Sequence, residues 1–425
     1  MGRLLLRLYQ AIAAVITIIL LVLNLRLYAP GSAAYGPGTL GRDVVPQLRF
    51  LGKSLRAGSG EQMQGLFPEG YFFSHALYGL SWVEVGLRTP AGSDLHTQAL
   101  EESAWALEQL DSKAGRASFS ATLDPPYGVF YVGWSNWLRG GRLMLQTPET
   151  RDPAEVARFQ SDCEALAAAF DQSATPFLNA YHSQAWPVDS VVAVATLRLH
   201  DALFPARFSN TLDRWMTAAQ ERLDPGTGLL PHRVDPRSGQ PLEGARGSSQ
   251  SIIARFLVEA YPDWGRSQYL LFRQQFLRPF LGAPGVLEYP ESVNGRGDVD
   301  SGPLVAGFSA SATVVTLGGA QVQGDREVGD ALLRASEAVG LPLRWGGAKR
   351  YALGIMPVGD AFLVWAKSSS PWVASWEPAN APQIVNRGWR LPLHGAALLI
   401  TLLVWLPAFG LAKIAAIMRA RAGRQ

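Results

Sequence analysis

The sequence predicts an all-α fold: an inner ring of helices wrapped by an outer ring, with a small β-hairpin excursion and one membrane-spanning helix at each end. Three observations predict it. Two terminal stretches, residues 8–25 and 391–412, run without a charged residue. Between them, about a dozen segments carry the apolar spacing of a helix, separated by short breaks. Several of those segments, such as residues 190–197 and 303–315, are apolar nearly all round, and a helix of that kind must be covered on every side. Two concentric rings supply that cover, whereas an ordinary amphipathic bundle does not.

The terminal stretches come first. A bilayer core about 30 Å thick calls for roughly 20 apolar residues at about 1.5 Å each, and both runs fall in that range. For the first, a cleaved signal peptide is the alternative. Its apolar run is longer than a usual signal core, and no clean small-x-small cleavage site precedes Tyr28, so an uncleaved signal anchor is expected over 1–27. A second span is expected over 389–412, with a basic tail over 413–425 that carries Lys413, Arg419, Arg421 and Arg424. Arg3 and Arg7 precede the first span. Positive flanks stay in the cytoplasm, so the expected topology is a two-pass protein of the inner membrane. Both termini are then cytoplasmic and the main domain is periplasmic or otherwise extracytoplasmic. Arg26 and Arg390 on the outer flanks weaken that asymmetry without reversing it.

The charge balance follows the same division. Of 38 basic residues, eight lie in 1–27 and 389–425, where there are no acids; the middle keeps 30 basic against 35 acidic residues. The basic character of the whole chain is thus a signal of topology, and a nucleic-acid partner has no electrostatic support. A single cysteine, Cys163, excludes an intramolecular disulfide and a multi-thiolate metal site. It sits in an alanine-rich helical pattern and is expected to be buried.

Residues 43–367 form the expected domain, reached through a Gly- and Pro-rich linker over 28–42 and left through a second linker over 368–388. Helices are expected over 43–56, 71–87, 95–111, 128–146, 152–172, 187–203, 208–222, 248–260, 264–281, 303–318, 326–338 and 355–367. Residues 224–239 break the pattern, with turn chemistry at both ends of a short extended stretch, and read as a hairpin projecting from a helix–helix connection.

The run from Asp189-Ser-Val-Val-Ala through Leu-His-Asp-Ala-Leu-Phe, Trp215 and Leu-Asp-Pro-Gly-Thr-Gly to His-Arg-Val-Asp-Pro-Arg-Ser-Gly resembles the central part of the linalool dehydratase-isomerase family. Residues 130–138 and 288–311 resemble other family segments. The resemblance implies an (α/α)6 barrel, an architecture shared with terpene cyclases and many polysaccharide-processing enzymes. Its chemistry does not carry over. The cysteine pair of the named enzyme falls near Asn179 and Val188, and the family's histidine is replaced by Trp134.

Candidate chemistry lies in three polar clusters. In Tyr181-His-Ser-Gln-Ala-Trp-Pro-Val-Asp, Asp189 is either a first-turn acid that favours the helix dipole or a catalytic acid served by Tyr181, His182 and Trp186. In the run from Glu288 and Tyr289 to Asp298 and Asp300, two acids sit two residues apart on a glycine-rich loop. Paired carboxylates suit acid–base work on a glycosidic or similar C–O bond; a Ca²⁺ site and a plain capping loop are the alternatives. In Glu243-Gly-Ala-Arg246, the arginine pairs with Glu243 or with a substrate anion. His232, in the hairpin, is the histidine expected to be catalytic or to contact substrate. His75 and His200 read as packing residues, and His394 belongs to the second span. Tyr131 and Trp134, within an aromatic run that opens at Tyr127, are expected either in the core or as a stacking platform. Glu69 opens an early helix and is a further acid at the same mouth.

Walker, dinucleotide and His-Glu-x-x-His patterns are absent from the sequence, as is a nucleophile elbow. The expectation is therefore a carboxylate acid–base hydrolase or lyase without cofactor or metal, acting on an envelope glycan or lipid-linked substrate, with Asp300 and Asp189 leading and Asp298, Glu243 and His232 supporting. Two other readings stand beside it. One is an isoprenoid hydratase, dehydratase or isomerase with a non-cysteine site; the other is a non-catalytic glycan-binding or scaffold module of an envelope complex. Membrane lipid is an expected partner in all three.

Overall fold

The computed structural model describes residues 2–291 and 293–422; Met1, Ser292 and 423–425, with Arg424 of the basic tail, lie outside the described residues. In chain order the helices are α1 (Gly2–Arg26), α2 (Val44–Arg56), a short α3 (Ser59–Gln64), α4 (Gly70–Leu87), α5 (Asp94–Asp111), α6 (Gly128–Met144), α7 (Pro153–Gln172), α8 (Pro187–Leu203), α9 (Ser209–Gln220), α10 (Gly247–Ala260), α11 (Pro262–Phe276), α12 (Ala310–Val322), α13 (Arg326–Val339), α14 (Pro357–Ser368) and α15 (Leu391–Ala422).

The even-numbered helices from α4 to α14 each pack on the next, and α14 packs back on α4, so the inner layer closes. Helices α5, α7, α9, α11 and α13 lie against their inner neighbours, and α2 covers the junction of α14 with α4. The sequence causes this directly. Helix α6 is buried at every residue from Gly128 to Leu143, which only a position covered on all sides allows. Its glycines permit close approach: a Cβ at Gly133 would stand 3.2 Å from the Ala193 backbone nitrogen. Inside the ring, Trp134 meets Phe73, Phe256 and Trp365 with ring centroids 5.5, 5.0 and 5.8 Å away. Such tilted pairs add roughly 0.5–1.5 kcal/mol each beyond the area they bury. Cys163 is buried, as expected.

Strands appear where extended breaks interrupt the helical pattern. The expected hairpin pairs β1 (Arg233–Val234) with β2 (Pro241–Glu243), so its second strand lies just past Gly239. Two expected helices are shorter than their apolar runs. The 264–281 run stays helical only to Phe276, then enters β3 (Leu277–Phe280), which turns into β4 (Ala283–Leu287). The 303–318 run begins as β5 (Leu304–Val305) and β6 (Phe308–Ser309) before α12 starts, with the Ser309 hydroxyl capping Ala312 N–H. Gly302 and Gly307 hold left-handed φ values of 66° and 83°, which stop a helix there whatever the apolar pattern. The four strands form one antiparallel sheet of order β3-β4-β6-β5. A second unforeseen hairpin pairs β7 (Leu343–Trp345) with β8 (Ala348–Arg350).

Two polar networks lock the ring. Between its first and last helices, Lys367 donates to Asp43 at 2.7 Å and Glu337 at 2.8 Å, and Lys349 bridges the same carboxylates at 2.5 and 2.7 Å. Tyr351 bonds to both Glu337 and Lys367, and Tyr35 to Asp43. Burial works against the Asp43 carboxylate, yet the two ammonium groups outweigh it and hold the group well below the usual range. Just beyond Lys367, at the C-terminal end of the inner helices, the segment after α14, expected as a linker, is strapped down. Trp372 stacks on Trp137 at 4.6 Å and donates its indole N–H to buried Glu84, while Glu259 accepts from the backbone N–H groups of Trp372, Val373 and Ala374.

Helices α1 and α15 are both long and apolar enough to cross a membrane. They pair antiparallel: Tyr9 donates to the Val404 carbonyl, Trp405 to Thr17, and His394 meets Asn24 at 2.5 Å. Paired in this way, the start of α1 and the end of α15 lie at one end of the pair, and the chain enters and leaves the barrel at the other.

Candidate active site

The inner helices run parallel, so the loops that precede them gather at one end of the ring. Glu69, Tyr181, Asp189, His232, Arg246, Glu288 and residues 293–301 all lie at this end.

Arg246 organises the cluster from the N-cap of α10. Its Nε donates to Glu288 at 2.7 Å, and its Nη1 meets Asp298 at 2.6 Å, the His232 ring at 3.3 Å and Glu243 at 3.4 Å. Glu288 is completely buried and also accepts from Ser248 N–H and hydroxyl. It caps the start of α10 while holding the guanidinium. The expectation that Glu288 contacts substrate is corrected on that ground: none of its surface is open. Glu243 is half-buried in β2, paired with Arg233 at 2.7 Å.

Asp298 closes its own turn, accepting from Asp300 N–H, Ser301 N–H and the Ser301 hydroxyl. Burial opposes its charge, but Arg246 and the Ser301 N–H outweigh burial and lower its pKa to about 2. That turn presents Asp300, whose Oδ2 stands 3.7 Å from His232 Nε2. Enclosure by surrounding protein and the nearby Asp298 charge, against the pull of Arg246, push Asp300 up to about 6. Half of its side-chain surface remains open, so water screens part of the interaction. His232 is buried, with Nδ1 on Ser249 at 2.6 Å, and burial together with the Arg246 charge lowers it to about 3. It is neutral at physiological pH, so its Nε2, which faces the Arg246 guanidinium, accepts rather than donates beside Asp300.

Across the mouth, Asp189 occupies the first turn of α8 and is 5% exposed. Burial, then the charges of Asp300 and Glu69, push its carboxyl well above the usual range. Glu69 accepts a hydrogen bond from Tyr181, whose ring lies edge-on to half-buried Trp186 at 5.7 Å. His182 is exposed on the rim, 3.0 Å from Ser120 and 3.2 Å from Thr122. Tyr289 lies under the Arg246 guanidinium at 5.1 Å and donates to the Arg296 carbonyl.

Two expected contact residues lie elsewhere. Trp134 is 1% exposed within the aromatic core. Tyr131 is equally buried and faces the outer layer, donating to Asp111 and accepting from Arg116. The 3.6-residue period places both rings on covered faces, which adjacency in an aromatic run does not reveal. Conversely, Glu69 and Ser249 hold more central places than their sequence context suggests. The Ser-Ser pair after Arg246-Gly247 was the available signal for Ser249.

Ligand atoms of His232, Asp298 and Asp300 lie within 4.8 Å of one another. The Arg246 guanidinium already stands against two of the three, so a metal cation there would compete with a fixed positive charge. The set fits a metal poorly.

No family model and no curated protein matches the chain. Among solved structures, the chain is similar to a GH76 alpha-mannanase of Bacteroides thetaiotaomicron, with TM-score 0.45 and 11% identity over 70% of this chain and 86% of that one. A likeness that loose leaves the chemistry to the site itself.

Proposed function

We propose that the chain is a membrane-anchored (α/α)6-barrel hydrolase that cleaves a glycosidic bond of an envelope glycan or lipid-linked saccharide by carboxylate acid–base catalysis. The observation that supports this most is the grouping of Asp189, Asp300 and Glu69 at one mouth, where the charges of Asp300 and Glu69 disfavour ionisation of buried Asp189. Asp189, buried and set against two negative charges, holds its proton more tightly than a free carboxyl and is suited to protonate the leaving oxygen. Asp300, with a value of about 6, is mostly ionised there. It is suited to activate water or attack the anomeric carbon; the separation of the two carboxyls in the substrate complex decides which. Asp298 holds the turn that presents Asp300, and the half-exposed rings of Trp186, Tyr181 and Tyr289 offer faces for sugar stacking. The aromatic filling around Trp134 occupies the ring interior that an isoprenoid chain would need, which favours the glycan reading.

The test uses the full-length protein in detergent or nanodiscs with a panel of nitrophenyl glycosides and defined oligosaccharides, following new reducing ends. Cleavage of one glycoside class is expected, with Asp300→Asn and Asp189→Asn each slowing turnover by roughly 10²–10⁴-fold. Wild-type rates in both variants would falsify the assignment.

A further inference from the structure

The catalytic end of the barrel carries apolar side chains at the tips of its loops. Trp345, at the tip of the β7–β8 hairpin, is 81% exposed, and Ile355, in the loop before α14, is 76% exposed. Leu281 in the β3–β4 turn, Leu341 after α13 and Leu353 are also exposed. These three leucines share an unusual backbone state, with φ of 48°, 48° and 59°. A turn in the left-handed region is ordinarily given to glycine or asparagine, because a Cβ crowds the following carbonyl. A leucine there has a steric cost in the backbone and, if it faces water, a solvation cost in the side chain. Three such leucines at one end of the molecule call for an environment that takes up the side chains.

The spans show which environment lies beside them. The β3–β4 turn abuts the entrance to α15: a Cβ at Gly282 would stand 2.1 Å from the Trp389 carbonyl oxygen and 3.0 Å from Pro392. The chain leaving α1 runs beside α13, where Gly31 lies against Asp330 and Arg390 feels the charges of Arg334 and Asp330. Helix α1 itself packs along α13, whose C-terminus leads to Leu341 and the β7–β8 hairpin. The apolar tips therefore continue the surface from which both apolar helices depart. Arg344 beside Trp345 is exposed, as is Arg49 near the hairpin glycines, and the pairing of tryptophan with arginine suits the headgroup region of a bilayer.

We infer that the loop tips carrying Leu281, Leu341, Trp345, Leu353 and Ile355 are seated in the bilayer surface, so that the barrel lies mouth-side against the membrane. Lipid takes up the apolar side chains, and the arginines meet anionic headgroups. The seating stands without any assumption about catalysis. Its consequence for substrate rests on the hydrolase reading above: a mouth held at headgroup height reaches a bond only a short distance from a lipid anchor, which favours a lipid-linked saccharide over a free polymer.

The experiment uses the full chain in vesicles of phosphatidylcholine and phosphatidylglycerol. Trp345→Cys, Ile355→Cys and Leu281→Cys variants are each labelled with an environment-sensitive fluorophore; buried Cys163 stays unlabelled in the folded protein. Arg207→Cys, exposed next to the C-terminus of α8 at the far end of the barrel, is the reference. Lipids carrying a shallow spin label are expected to quench the three tip probes several-fold more than the Arg207→Cys probe. Quenching of the tip probes no greater than that of the reference overturns the seating. This includes the case in which the tips are covered by protein, where the probes are blue-shifted yet insensitive to the lipid quencher. Activity plays no part in the readout, so a failed seating and a failed hydrolase assignment are told apart.

Discussion

Replacing Lys367 by Met removes one of two cations from the buried square that closes the ring. In the folded protein, Lys349 and Lys367 balance Asp43 and Glu337, and Lys367 is wholly buried. Burial works against its charge, but the two carboxylates outweigh burial and hold the ammonium more firmly than in water. Lys349 shifts the other way, because burial and the Lys367 charge together exceed what the carboxylates return. Methionine fills most of the volume but leaves an uncompensated negative charge. Breaking a buried pair from one side costs about 3–5 kcal/mol. Lys349 still stands 2.5 Å from Asp43 and 2.7 Å from Glu337, so the lower end, about 3 kcal/mol, is expected. An unfolding entropy of about 2 cal/mol/K per residue over the roughly 325 residues of the domain converts this to a fall in Tm of about 5 °C. Thermal melts of the detergent-solubilised full chain by circular dichroism measure it. The Asp43 and Glu337 values are both depressed. Their stabilisation is thus present above the unfolded carboxylate range, about pH 4, and is lost as pH falls through the folded values. The gap between wild type and variant should therefore narrow below about pH 4. A Tm within about 1 °C of wild type at neutral pH, or a gap that widens in acid, refutes the clamp.

Two further outcomes follow from the same geometry. If Asp300 is the base, the acid limb of kcat/KM should rise through about pH 6, and the alkaline limb should reflect proton loss from Asp189. Asp300→Asn then abolishes the acid limb, and an unchanged limb in that variant sinks the role assigned to it. At the other end of the ring, Trp372→Ala removes the stack on Trp137 and a donor to Glu84. A loss of about 3 kcal/mol is expected, with proteolytic nicking between 371 and 388; a strap that stays resistant counts against its anchoring role.

Much of the helical order was legible because period and composition are local. The all-round apolar run at 190–197 lies in α8 with every side covered, as its lack of a polar face required. The run at 303–315 misled for a related reason. Apolar character alone does not distinguish a buried helix from short buried strands, and the glycines at 302 and 307 settled it locally. At the site, Asp189, Asp298, Asp300, His232 and Arg246 were readable as polar clusters beside turns. Glu69 was readable as another acid at the mouth, but its bond from Tyr181 and its charge beside Asp189 were not, since these residues lie far apart in the chain and meet only when the ring closes.

By itself the sequence determined the two apolar ends, the acidic balance of the middle and the succession of helices, all properties set by residues within a few positions of one another. Tertiary structure alone decided the rest. It assigned Trp134 and Tyr131 to covered faces and made Glu288 a buried holder of Arg246. It also drew residues 43, 337, 349 and 367 into one clamp and turned the supposed return linker into a strap. Each of these depends on which surfaces meet when the ring closes. Burial and the charge of distant neighbours, which govern how a carboxyl titrates, exist only after that closure.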